Sequence, residues 1–193
     1  YKNNNKNVGE GIPIIALDYK SAGQEGKYDD KITVIVGRDK MSKGLIAHHT
    51  LAKGDCSDWI IDKLISDIDY FGHNELILQA DNENPIKVVL EAIKNKRTKK
   101  IFLQYSKPYD PKTNGLAEKG VQDFVDQLKS NKIALERHIG VKVNCRTPIF
   151  QWLIELIPVI VNRHQGGHDG KTAHSRIYNR HPKELEVSFG EQV

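Results

Sequence analysis

Glu75-Leu76-Ile77-Leu78-Gln79-Ala80-Asp81 is an apolar run that ends in an acid, and the residues just beyond it set the fold class. Asn84-Pro85 opens a helical stretch with Val88, Val89, Ala92 and Ile93 as the expected inner face. Ile101 to Tyr105 is a second short apolar run. Strand, helix, strand in this order predicts a parallel pair joined by a crossover helix. Upstream, Pro13–Asp18, Lys31–Val36 and Gly44–Leu51 read as three strands separated by turn-rich segments, which predicts an antiparallel meander. Ser57 can cap a helix to about Tyr70 with Ile60, Ile61, Leu64, Ile65 and Ile68 on one side. The expectation is an α/β fold: a five-stranded mixed sheet, antiparallel over strands 1–3 and parallel over strands 4–5, flanked by helices on both faces.

Downstream, Ser106–Gly115 reads as a loop, and Asn114 can cap a helix whose stripe is Ala117, Val121, Phe124, Val125 and Leu128. Thr147-Pro148 starts another helix to about Arg163, apolar almost all round and expected to kink at Pro158. A short helix is expected around Thr172–Asn179. By composition the chain divides into a polar, flexible leader (1–11), a core (12–165) and a basic, His-rich extension (166–193).

The 193 residues suit one domain, and the net charge of +4 is compatible with a polyanionic partner without requiring one. Cys56 and Cys145 stand far apart, which argues against a disulfide framework or a Cys-based zinc site; both read as small core residues. No apolar run reaches the length of a membrane span, no secretory leader is legible, and an opening Tyr1 reads as a segment of a longer polypeptide.

Asp18 and Asp81 each close an apolar run, and Glu118 sits in the first turn of its helix. Two strand ends side by side would crowd two negative charges, which is unfavourable without a cation between them. Magnesium is usually held by few carboxylates together with substrate phosphate, so the pattern points to phosphoryl transfer. Taken singly, each acid is more simply a turn residue, a helix cap or a solubilising charge. Asp58 and Asp62 read as helix-surface acids, and the Lys94–Lys100 basic run as a solvated helix end.

The joint pattern Asp18-x62-Asp81-x36-Glu118, with LDYKS around the first acid, LQADN around the second and YDPKTNGLAEKGVQ around the third, resembles the DDE core of retroviral and long-terminal-repeat retrotransposon integrases. The GKTAHSRIYNRHP stretch resembles the tail that follows such cores in retrotransposons. The resemblance implies a ribonuclease-H-like fold and an enzyme, a polynucleotidyl transferase that carries out 3′ processing and DNA strand transfer. It implies two magnesium or manganese ions held by Asp18, Asp81 and Glu118, and DNA contacts from Asn82, Tyr109, Lys112, Asn114 and Lys119. It further implies DNA as partner, homodimer or higher assembly through helices at Ser57–Tyr70 and Ile149–Arg163, no small-molecule cofactor, and a nuclear or intracellular nucleoprotein location. Glu83 stands where the family has Gly, and Ala80 where it has a small hydroxyl residue. Two other readings remain open here: a ribonuclease-H-like nuclease that only hydrolyses, or a non-catalytic descendant kept for nucleic-acid binding or assembly.

Overall fold

The computed structural model describes residues 11–23, 31–106 and 114–182. Five strands form one sheet: β1 (Ile14–Gly23), β2 (Lys31–Asp39), β3 (Leu45–Thr50), β4 (Glu75–Ala80) and β5 (Lys100–Tyr105). Their order is β3-β2-β1-β4-β5. The β1–β2 and β2–β3 pairs are antiparallel, whereas β4 runs parallel to both β1 and β5. The five helices are α1 (Asp58–Tyr70), α2 (Asn84–Lys96), α3 (Gly115–Ile139), α4 (Pro148–His164) and α5 (Ala173–Tyr178).

The pleat sends alternate side chains to opposite faces. Ile15, Leu17, Ile35, Leu76 and Leu78 pack under α1 and α2. Val34, Val36 and Ala47 pack under α3 and α4. The sheet is therefore the middle of three layers, as the alternation of elements along the chain requires.

The structure departs from local expectation in five places. The inner face of α2 is Ile86, Val89, Leu90 and Ile93, spaced i, i+3, i+4, i+7, which turns Val88 outward at 55% exposure. Ser57 stands at the N-cap of α1 without a capping bond from its side chain; instead its N–H donates to Asp55 Oδ1 at 2.9 Å. Helix α4 is one-sided: Phe150, Leu153, Ile154, Ile157 and Val161 are buried while Trp152 is 67% exposed. Cys56 is exposed and only Cys145 is buried. The basic run is not a solvated end: Arg97 is buried, donates to Asp69 Oδ1 and to the His73 carbonyl, and so ties α1 to the residues that follow α2.

The same web fixes the β2–β3 turn. Asp39 is fully buried and accepts from the Ser42 N–H (2.7 Å), the Ser42 hydroxyl (2.6 Å) and His73 Nε2 (2.9 Å). Asn162 of α4 accepts from the Leu45 N–H (2.7 Å) and donates to the Leu45 carbonyl (2.9 Å), giving edge strand β3 partners for backbone groups it would otherwise leave open. Helix α5 lies against α4, with Arg176 Nη1 donating to the Ser42 carbonyl at 2.9 Å.

Between β3, α1 and α4, buried His48 sits 2.6 Å from Asp67 Oδ2 and 3.8 Å from Glu155 Oε1, and Lys63 Nζ donates to Glu155 Oε2 at 3.2 Å. Burial opposes charge on His48, but Asp67 and Glu155 outweigh it and raise its pKa above the ordinary 6.5. His48 and Lys63, working against burial, hold Glu155 down to about 2 from 4.5. The His48 contribution to stability is complete below pH 6.5 and is lost as pH rises through the folded-state value. The Glu155 contribution is complete above pH 4.5 and is lost as pH falls toward 2. Thermal melts of wild type and Glu155→Gln should therefore differ most between pH 4.5 and 6.5, and the gap should narrow toward pH 2 and on the alkaline side. A gap independent of pH would show that the ion cluster is not its source.

Candidate active site

Strand β1 does not stop at Asp18; it runs on to Gly23. What ends there is its pairing with β4, whose last partners are Ala16 and Gln79. Beyond that point β1 keeps only β2, and Asp18 stands opposite Val36. Directly opposed residues share a face, and Val36 packs under α3 and α4, so Asp18 is on the face that α3 covers. Asp81 follows the last residue of β4, at the carboxyl end of the parallel pair. In open α/β sheets this edge, where two neighbouring strands diverge, is where ligands collect.

Both acids are half-buried. Asp18 Oδ1 accepts the Tyr19 N–H at 2.7 Å. Burial is the main cause that pushes the Asp18 carboxyl above its ordinary range; the Tyr19 bond opposes it, the charges of Asp81 and Glu83 push it further up, and Lys53 pulls it down. The structure therefore brings Asp18 and Asp81 within electrostatic reach of each other, with Glu83 beside them. Glu83, where the resembling family has Gly, does not stand free: its Oε2 lies 3.3 Å from Lys53 Nζ.

Glu118 is exposed in the first turn of α3. Among the described residues no three His, Cys, Asp or Glu side chains are gathered as a preformed metal site. The pair of acids is thus together, and the third is carried by the helix over the same face. A pair suits the donor chemistry of magnesium, which keeps waters and binds through one or two carboxylates plus phosphate.

Of the other expected contacts, Asn82 is exposed beside Asp81. Lys119 points into an ion pair with Asp123 Oδ1 at 2.7 Å. Asn114 is buried at the head of α3; its carbonyl accepts the Glu118 N–H at 3.0 Å, while its side chain, expected to cap, makes no capping bond. Tyr109 and Lys112 lie outside the described residues. Asp58 and Asp62 are taken up by Lys96, at 2.8 and 2.7 Å.

Sequence reasoning missed the Lys53-Gly54 turn. Gly54 N–H donates to the Tyr19 hydroxyl at 2.9 Å, which sets the β3–α1 connection beside Asp18 and brings Lys53 to Glu83. The contact joins residues 35 apart along the chain, and no local pattern signals it. Lys53-Gly54 alone reads only as a turn.

No family model matches the chain, and no curated protein matches it in sequence. Solved structures do match. A chain of the simian T-cell lymphotropic virus intasome, solved in complex with PP2A regulatory subunit B56 gamma, aligns with a TM-score of 0.64 at 17% identity over 90% of this chain. This chain spans 58% of the length of that one. The catalytic core domain of BIV integrase aligns at 0.56 with 18% identity, covering 86% of this chain and 93% of the core. The HTLV-2 integrase catalytic core in complex with magnesium, in its trimeric form, aligns at 0.60 with 14% identity, covering 86% of this chain and 95% of the core. Its dimeric form aligns at 0.57. The mixed five-stranded sheet with its parallel β1, β4 and β5, clothed by helices on both faces, is the ribonuclease-H-like fold of a retroviral integrase catalytic core.

Proposed function

We propose that this chain is the catalytic core of a retrovirus-like mobile-element integrase, with Asp18, Asp81 and Glu118 as the ligands of two divalent ions. The observation that carries the reading is the approach of Asp18 and Asp81 at the carboxyl edge of two parallel strands in an integrase-core fold. Their mutual repulsion is the electrostatic signature of a cation site.

When bound, magnesium or manganese would activate the attacking oxygen and stabilise the leaving oxygen of an in-line displacement at a phosphodiester. Asp18 and Asp81 fix that position on the rigid sheet. Glu118, at the positive end of a 25-residue helix, would supply the third carboxylate of the set. No side chain is needed as general base. Lys53 pairs with Glu83 at the rim of the site and offsets part of the charge that Glu83 adds beside Asp18. Because Lys96 occupies Asp58 and Asp62, neither supplies the fourth acid that would favour a purely hydrolytic relative.

DNA is the proposed partner, and self-association through α1 and α4 the proposed assembly. Trp59 and Trp152 are 48% and 67% exposed on these helices, and aromatic residues of this kind are enriched at protein interfaces. Among the described residues no helix is long and apolar enough to cross a membrane.

Joining of labelled DNA ends into a target duplex, with magnesium or manganese against EDTA, tests the activity; product in EDTA would refute the metal-dependent reading. Metal binding is tested separately by melting. Asp18→Asn should raise the melting temperature of the metal-free protein, because it removes a desolvated charge from beside two like charges. The same variant should lose the stabilisation that millimolar magnesium gives the wild type, about 1–3 kcal/mol at concentrations well above the dissociation constant. A variant that responds to magnesium like the wild type would remove Asp18 from the site.

A further inference from the structure

A cleft of about 820 Å³ opens along the first turns of α3, lined in part by Lys119, the neighbour of Glu118. Its other walls are the end of β2, the β2–β3 turn and the glycine-rich connection between α4 and α5. Four permanent cations line it, Arg38, Lys43, Lys119 and Arg176, against two carboxylates, Asp123 and Asp169. The balance is positive in a concave setting, where field lines are focused.

The positive charge is built in. Arg38 and Lys119 share the single carboxylate of Asp123, which is itself buried. Gly120 makes this possible: a Cβ there would meet Arg38 Cβ at 3.0 Å, so its absence lets α3 settle onto Arg38. Arg176 is braced by the Ser42 carbonyl at 2.9 Å and Asp169 Oδ1 at 2.6 Å, which joins two of the walls. Lys43 has no ion-pair partner among the described residues and is exposed at the mouth. The head of α3 adds its own positive end, with Gly115 and Leu116 on the wall.

We propose that this cleft is a second anchoring site for a DNA phosphodiester backbone, beside the one at Asp18 and Asp81. The inference rests on the function proposed above, since the ligand it names is the strand whose reacting phosphate lies at the acids. Lys119 lines the cleft and is the neighbour of Glu118 on α3, so the cleft adjoins the helix turn that carries the third acid of the proposed site. The free ammonium of Lys43 and the surplus of cations over carboxylates supply backbone contact without reading bases.

The test is fluorescence anisotropy of a labelled duplex on the full 193-residue chain in EDTA, across a salt series, with inorganic tripolyphosphate as a second probe. Lys43→Glu should weaken DNA binding about 10-fold, and Lys43→Gln should make the slope of log affinity against log salt shallower by about 1. Lys43 is exposed, and an unchanged melting temperature checks that both variants fold. Wild-type affinity and slope in both variants would overturn the proposal. So would variants that lose only tripolyphosphate, which would make the cleft a polyphosphate site. Asp81→Asn separates the two readings. If it loses joining while Lys43→Glu binds normally, the cleft fails and the active site stands; if it joins normally while Lys43→Glu binds weakly, the reverse holds.

Discussion

Asp81→Asn should reduce magnesium-dependent joining of DNA ends by about 10³-fold and leave the folded protein intact. The magnitude comes from the work assigned to the carboxylate. A correctly placed divalent ion is worth several kcal/mol of stabilisation to the charge that develops in phosphoryl transfer. Losing about 4 kcal/mol of it corresponds to roughly three decades in rate. Asn keeps the shape and one oxygen but withdraws the negative charge that faces Asp18. The fold should not suffer, because Asp81 is half-buried past the end of β4 and its charge lies close to like charges. Labelled product resolved on a denaturing gel, alongside a thermal melt, reads both quantities. Equal product from the mutant would end the two-ion mechanism for this chain and take Asp81 out of the reacting centre.

The second large effect is on stability, far from the acids. Asp39→Ala should destabilise the protein by about 3–5 kcal/mol, the range for removing one partner of a buried charged pair. In a chain of this size that is a fall in melting temperature of about 10 °C. Burial alone would push the Asp39 carboxyl up, yet the bonds from His73 and Ser42 hold it below its ordinary range, so the ionised form is the one the fold uses. Truncation strands the buried Ser42 N–H and hydroxyl and leaves the partly buried His73 Nε2 without this partner. A loss under about 1 kcal/mol would mean that water or relaxation replaces Asp39.

The two aspartates differ in how far their neighbours along the chain reveal them. Asp81 ends an apolar run ahead of Asn84-Pro85, so a strand, its carboxyl end and a following helix are visible in adjacent residues. Asp39 closes β2 and looks like any turn acid; only the arrival of His73, 34 residues on, makes it a buried ion. Val88 shows the same division on a smaller scale. Helical periodicity found α2, but the choice between Val88 and Leu90 for its inner face depended on how the helix rolls onto the sheet. Arg97 likewise looked like part of a solvated basic run until α1 supplied Asp69 and the turn supplied the His73 carbonyl.

The elements, their order and the α/β class were legible in the amino-acid sequence, because hydrophobic period, turn residues and helix-opening prolines act over a few neighbouring residues. The spacing and flanking residues of Asp18, Asp81 and Glu118 suggested a set, and of these the structure brings Asp18 and Asp81 within electrostatic reach of each other. Packing in three dimensions was needed to lay β1 parallel to β4, to put Asp18 where this pairing ends and not at a strand terminus, and to bring Lys53 to Glu83. It alone gathered Arg38, Lys43, Lys119 and Arg176 around one cleft. Such contacts join residues tens of positions apart, and their energy depends on burial and distance, neither of which exists until the chain has packed.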